Sequence, residues 1–222
     1  SAGWTDDIFL RDTPESNETQ VQYVCDMNLN SIRFENIWGT SQNVYDLCDR
    51  YGLLVLVGWS CHWEWDSYLG SPCDEYGGIK TEHDMDLIAR SLNDQVLWLR
   101  NHPSIIAWGY MNEILLTAPG PDRPEWPACR ERTVKLAQRL EKTLKQEDPY
   151  RASVMAFNMT NLYNEIGLDL VDVSGWNLYH GWYVGQLNDF NRWMEDQHAR
   201  YPKRPTIISE WGAGSDRRLH SR

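Results

Sequence analysis

The chain has 222 residues and a formal net charge of −11, from 21 basic and 32 acidic side chains. That length fits one domain with a sizeable core and leaves little room for a second. The acidic balance argues against nucleic acid and anionic membranes, both of which call for a basic surface. The longest unbroken apolar run, Leu53–Val57, has strand length and falls far short of the roughly 18 residues of a membrane span. The opening SAGWTDDIFL carries neither the basic nor the apolar region of a signal peptide, so none is expected within these residues. The compartment stays open, and a periplasmic or secreted parent protein is compatible with the sequence. Twelve tryptophans are the compositional oddity. So much flat aromatic surface suggests a stacking site as well as a core.

Taken in chain order, short apolar runs rich in β-branched and aromatic residues predict strands at Ser31–Glu35, Leu53–Trp59, Ile105–Asn112, Ser153–Phe157, Val171–Tyr179 and Thr206–Glu210. Near-continuous apolarity is the mark of parallel strands buried on both faces. Between them run helical stripes. Val44, Leu47, Cys48 and Tyr51 form one; Met85, Ile88, Leu92, Val96 and Leu99 a second; Val134, Ala137, Leu140 and Leu144 a third, stopped by Pro149. Five cysteines cannot all pair. Cys25 and Cys48 lie on apolar helical faces and read as small buried hydrophobes. Cys61 and Cys73 flank a loop-like stretch and are free to pair with each other, but their spacing matches no metal site. The six histidines are scattered, so neither metal nor cofactor is expected.

Strand and helix in repeated alternation imply an α/β fold with a parallel sheet. A doubly wound sheet and a (β/α)8 TIM barrel both satisfy the pattern. The missing phosphate-binding glycine motif after the first strand counts against the doubly wound nucleotide binder. Polar and aromatic residues also gather at strand C-terminal ends: Arg33 and Glu35, Trp59, Asn112 and Glu113, Asn177 and Tyr179, Glu210 and Trp211. A barrel brings those ends to one mouth, where its chemistry sits. A complete barrel needs about 250 residues and eight strands. With six strands in hand, residues 1–222 are expected to be a single truncated barrel domain, a fragment with strands 1 and 8 incomplete.

Glu113 and Glu210 each close an apolar strand, where an unpaired carboxylate carries a desolvation cost. Glycoside hydrolysis needs two carboxylates, one to protonate the leaving oxygen and one to attack the anomeric carbon or activate water. A structural reading, with both glutamates as salt-bridge partners at the mouth, stands beside it. Arg100–Glu113, RNHPSIIAWGYMNE, closely resembles the acid/base signature of glycoside hydrolase family 2. Asn30–Gly52 looks like that family's second-strand arginine and the helix after it. VDVSGWNLY and ISEWGA look like its strands 6 and 7. The resemblance implies a retaining exo-β-glycosidase barrel without cofactor, acting on a carbohydrate with a terminal β-linked sugar and flanked by β-sandwich domains. In that family's terms Glu113 is the acid/base, Glu210 the nucleophile and Asn112 the partner of the sugar 2-hydroxyl, while Arg33 and Tyr179 hold Glu210 ionised. The same chemistry predicts a lowered pKa for Glu210 and a raised one for Glu113.

Departures from the family narrow the subtype. The His-Tyr-Pro segment usual after the arginine in β-galactosidases and β-glucuronidases is absent, as is the glucuronidases' N-x-K motif. Arg-x-Glu and GWSCHWEW (Gly58–Trp65) look more like exo-β-glucosaminidases and β-mannosidases, with Glu35 or Glu64 available to bind an amine. Trp59, Trp63, Trp65, Trp176, Trp182 and Trp211 are candidate sugar platforms, each as readily core. The loop Asp66–Gly78 reads as a cleft wall, and His102 as the fixer of the turn into Ile105–Asn112. Asn17 and Asn158 fit glycosylation triplets. Two alternatives remain: a non-catalytic carbohydrate-binding or scaffold fragment, and an endo-acting two-glutamate glycanase. The isolated chain is expected to be weakly active or inactive.

Overall fold

The computed structural model describes residues 12–35, 40–59, 81–113, 124, 126–158 and 167–213. Within them the elements are α1 (Pro14–Asp26), β1 (Ser31–Phe34), α2 (Gln42–Tyr51), β2 (Leu54–Gly58), α3 (Glu82–Leu99), β3 (Ile105–Asn112), α4 (Trp126–Glu147), β4 (Ala152–Asn158), β5 (Val173–Leu178), α5 (Asp189–Arg200) and β6 (Thr206–Trp211). All pairings are parallel and the strand order is β1-β2-β3-β4-β5-β6. That order decides between the two architectures. A doubly wound sheet reverses direction at a switch point. Here every crossover steps to the next strand in the same direction, and the right-handed sense usual for such crossovers lays the helices on one face. The six strands form a curled sector of a TIM barrel.

Local chemistry sets the helix ends. Thr13 and Thr81 cap α1 and α3 in reciprocal boxes with Ser16 and Asp84. Gly52, at φ +72°, ends α2 in the left-handed conformation. Tyr51 is exposed and Ile88 and Val134 are half-buried, but most of each stripe read from sequence is buried: Val44, Leu47 and Cys48 from α2, Met85, Leu92, Val96 and Leu99 from α3, Ala137, Leu140 and Leu144 from α4. They pack with Val55, Val57, Trp108 and Met155 into one core between sheet and helices. Cys25 and Cys48 are free thiols; Cys48 is buried as expected, whereas Cys25 is only partly so. Among the described residues no helix is long and apolar enough to cross a membrane.

The base of the sheet is tied by a polar network around the turn into β3. Trp98 donates to Gln42 Oε1 at 2.6 Å, which turns the Gln42 amide nitrogen to His102 Nε2 at 2.7 Å. His102 Nε2 must therefore accept, and Nδ1 carries the proton given to Asp49 at 2.6 Å. His102 thus fixes this turn to α2. Arg151 completes the base, donating to the carbonyls of His102 and Ile105 and to Asp148.

Candidate active site

Two strands are re-aimed where their polar ends begin. Along β3 and β4, Gly109 faces Val154 and the next pair is Met111 with Met155, so Tyr110 is an inserted residue. Along β5 and β6, Trp176 faces Ile208 and the next pair is Asn177 with Glu210, so Ser209 is inserted. Such bulges break the strict alternation of strand faces and are frequent beside active sites. Glu113 follows β3 directly with φ +51°, a left-handed backbone that a long side chain adopts at a cost. At the end of β1, close packing is set by Gly58. A Cβ there would fall 2.2 Å from the carbonyl oxygen of Phe34 and 2.3 Å from that of Glu35.

These turns bring together side chains from strand ends far apart in sequence. Arg33 forks: Nη1 donates to Glu210 Oε1 at 2.6 Å and Nη2 to Asn112 Oδ1 at 2.5 Å. The Tyr179 hydroxyl donates to the other oxygen of Glu210. Asn177 Nδ2 donates to Asn112 Oδ1 at 3.2 Å, and Ser209 Oγ to Asn177 Oδ1 at 2.7 Å. Asn158 Nδ2 donates to Glu113 Oε1 at 3.1 Å. Asn112, Glu113, Asn158 and Asn177 are all buried.

The electrostatics divide by residue. Burial pushes the Glu210 carboxyl up. The Arg33 guanidinium and the hydrogen bonds from Tyr179 and Arg33 outweigh it and hold the pKa below the usual carboxylate range. Burial, then the bond to Glu210 and the charges of Glu210, Glu113 and Glu35, push the Tyr179 phenol far up. Tyr179 therefore keeps its proton at any ordinary pH and acts as a donor. Among the described residues no three His, Cys, Asp or Glu side chains are grouped as a metal site requires.

A family model described as glycosyl hydrolases family 2, TIM barrel domain, matches residues 16–217. The chain belongs to glycosyl hydrolase family 2. It is similar to an exo-β-D-glucosaminidase of Arthroderma benhamiae, 35% identical over 111 residues that make up 48% of this chain and 12% of that protein. It is also similar to the β-glucuronidase of Bacteroides fragilis, 26% identical over 208 residues, 91% of this chain and 26% of that protein. The crystal structure of Bacteroides uniformis β-glucuronidase superposes with a TM-score of 0.84 at 36% identity, covering 100% of this chain and 26% of that one. The chain thus spans a minor part of each relative's length. β-Glucuronidases stand among these relatives although the motifs absent from the sequence pointed away from them.

The remaining sequence candidates of this family 2 barrel fall in different places. Glu35 lines the floor of the cluster with Arg33, Gly58 and Asn112. Trp59 does not join it: the ring is buried on the helix side and its N–H reaches Ser91 of α3 at 3.3 Å. Trp176 is likewise core, its ring 5.2 Å from Phe157 and 5.0 Å from Trp193. Trp211 is 77% exposed and lines an apolar cavity of about 510 Å³ with Leu178, His180, Trp182, Phe190 and Ile208. Glu64, Trp63, Trp65, Cys61, Cys73 and the loop Asp66–Gly78 lie outside the described residues. Asn17, one of the two glycosylation candidates, is buried against Asp12 and Ser41. The other, Asn158, is the partner of Glu113. Sequence reading missed Asn158 and Ser209 as site residues. Asn158 had a signal, because it closes a buried strand with a polar side chain just as Asn112 does.

Proposed function

We propose that this chain is the catalytic barrel of a retaining exo-β-glycosidase in which Glu210 is the nucleophile and Glu113 the acid/base. The observation that carries the reading is the grip on the Glu210 carboxylate, which holds it ionised in a cluster that also contains the buried Glu113. Glu210 is gripped by a guanidinium and a phenol that keeps its proton. Glu113 receives a neutral amide donor on one oxygen. In the first step Glu113 gives its proton to the glycosidic oxygen while Glu210 attacks the anomeric carbon and the bond to the leaving group breaks. In the second, Glu113 takes a proton from water, the water oxygen attacks the anomeric carbon, and the Glu210 ester is released as a carboxylate. Asn112, with Oδ1 committed to Arg33 and Asn177, offers its amide hydrogens to the sugar 2-hydroxyl. Retention requires a carboxyl separation of roughly 5–5.5 Å in the loaded enzyme.

Wild-type protein should be labelled covalently by a fluorinated β-glycoside inactivator and the Glu210→Gln variant should not; persistent labelling of the variant would refute the nucleophile assignment. On the strength of the relatives the sugar is a β-glucuronide, with a hydroxyl at C2, or a β-glucosaminide, whose C2 amine takes the place of that hydroxyl before Asn112. A panel of aryl β-glycosides (glucuronide, glucosaminide, mannoside and galactoside) on the full-length parent separates them. Flanking β-sandwich domains belong to the same proposal, supported by the small share of each relative that the chain spans. Leu54 and Ile106, strand residues 41% and 46% exposed, support closure by further strands, since a complete barrel fills its interior with side chains.

A further inference from the structure

The Arg33 fork ends a longer chain of hydrogen bonds whose direction can be worked out. A guanidinium only donates, so Asn112 must present Oδ1 to it. The bond between the two asparagines ends on that same oxygen, so it comes from Asn177 Nδ2. Asn177, completely buried, is then left with Oδ1 toward Ser209, whose hydroxyl donates at 2.7 Å. The strand geometry makes room for this contact. Ser209 is the inserted residue of the β6 bulge, and Gly175 lies beneath it. A Cβ on Gly175 would sit 3.0 Å from Ser209 Oγ and 3.1 Å from the Met155 carbonyl oxygen.

We propose that Ser209 is a positioning residue: its hydroxyl anchors a relay through Asn177 that fixes which end of the Asn112 amide faces the sugar. The proposal rests on the reading of Asn112 as partner of the 2-hydroxyl. Without Ser209, Asn177 loses the donor that holds its amide, and a flipped Asn177 sets oxygen against the oxygen of Asn112. Arg33 then holds Asn112 alone, and the amide aimed at the sugar loses its fixed plane.

The test uses the full-length protein and measures kcat and KM on an aryl β-glycoside of the accepted sugar and on its 2-deoxy counterpart. Ser209→Ala should lower kcat about 10-fold on the first, with KM changed by less than about 2-fold, a differential effect on the transition state. Ser209→Thr, which keeps the hydroxyl, should restore most of it. In an Asn112→Ala background Ser209→Ala should cost nothing further; an undiminished cost there would overturn the relay whatever the sugar contact. On the 2-deoxy substrate the Ser209→Ala loss should vanish. If the double variant shows the relay but both substrates lose equally, the relay stands and the 2-hydroxyl assignment falls. Unchanged kinetics in Ser209→Ala, or no turnover by the wild-type protein, would overturn the proposal.

Discussion

Tyr179→Phe removes one hydroxyl and leaves the Arg33 fork in place. In the wild-type site burial raises the Glu210 pKa, and Arg33 and Tyr179 more than cancel it. Deleting the phenol leaves burial opposed chiefly by the guanidinium at 2.6 Å, so the pKa must rise. A hydrogen bond to a charged group contributes about 1.5–3 kcal/mol, and 1.36 kcal/mol corresponds to one pKa unit, so the rise is about 1–2 pH units. A nucleophile works only when ionised, so the acid limb of the kcat/KM profile should move to higher pH by that amount. The phenol itself does not titrate in this range, since burial and Glu210 push it far up, so the shifted limb cannot be its own. The pH dependence of inactivation by a fluorinated glycoside reads the same group independently and should move equally. An acid limb that stays put in both assays, however much activity is lost, would show that Tyr179 does not hold Glu210 ionised.

Glu113→Gln should lower kcat by about 10²–10⁴-fold on glycosides with poor leaving groups and far less on activated aryl glycosides, seen by plotting rate against leaving-group pKa. A uniform loss would contradict the acid role. Gly58→Ala drives a methyl into the Phe34 and Glu35 carbonyls, so β2 must shift, at about 1–3 kcal/mol of stability; an unchanged urea midpoint would contradict the close packing. Burial raises the Asp148 pKa, but Arg151 and the Trp108 N–H outweigh it and hold it low. Its stabilisation is therefore complete above the unfolded value of about 3.9 and lost as pH falls through the folded one. Asp148→Asn should cost about 1–3 kcal/mol at pH 7, and the urea midpoints of variant and wild type should converge at strongly acid pH.

The fold was legible wherever burial wrote itself as an unbroken apolar run. All six strands lie where those runs predict, within two residues at either end. The helices whose bounds went unread are α1, glimpsed only at Cys25, and α5. α1 buries only Asn17 and Val21, and α5 buries no residue fully, so neither carries a stripe. Trp59 stays undecided from sequence for the opposite reason. In LLVLVGW every position is compatible with either face, so the sequence carries no phase. The structure supplies it: Val55, Val57 and Trp59 face the helices, and Leu54 and Gly58 the other side. Bulges are equally silent. Alternation from Glu210 turns Ser209 to the helices, and only the slip between Trp176 and Asn177 brings it to the relay.

The relay also bears on the second half of the reaction. Once Glu210 carries the glycosyl group as an ester it is neutral, and the 2.6 Å ion pair with Arg33 loses its Coulombic part. If Asn112 were held by Arg33 alone, any relaxation of the guanidinium would carry the amide with it just when water must attack. Asn177 and Ser209 hang on β5 and β6 and do not depend on the charge of Glu210. They hold the same Asn112 oxygen as Arg33 does, so the contact to the sugar can outlast the change of charge at the nucleophile. Loss of Ser209 should therefore weigh more heavily on hydrolysis of the glycosyl-enzyme than on its formation. The rate at which a trapped fluoroglycosyl-enzyme recovers activity reads that step directly. A Ser209→Ala variant that is labelled more slowly yet recovers at the wild-type rate would contradict the argument.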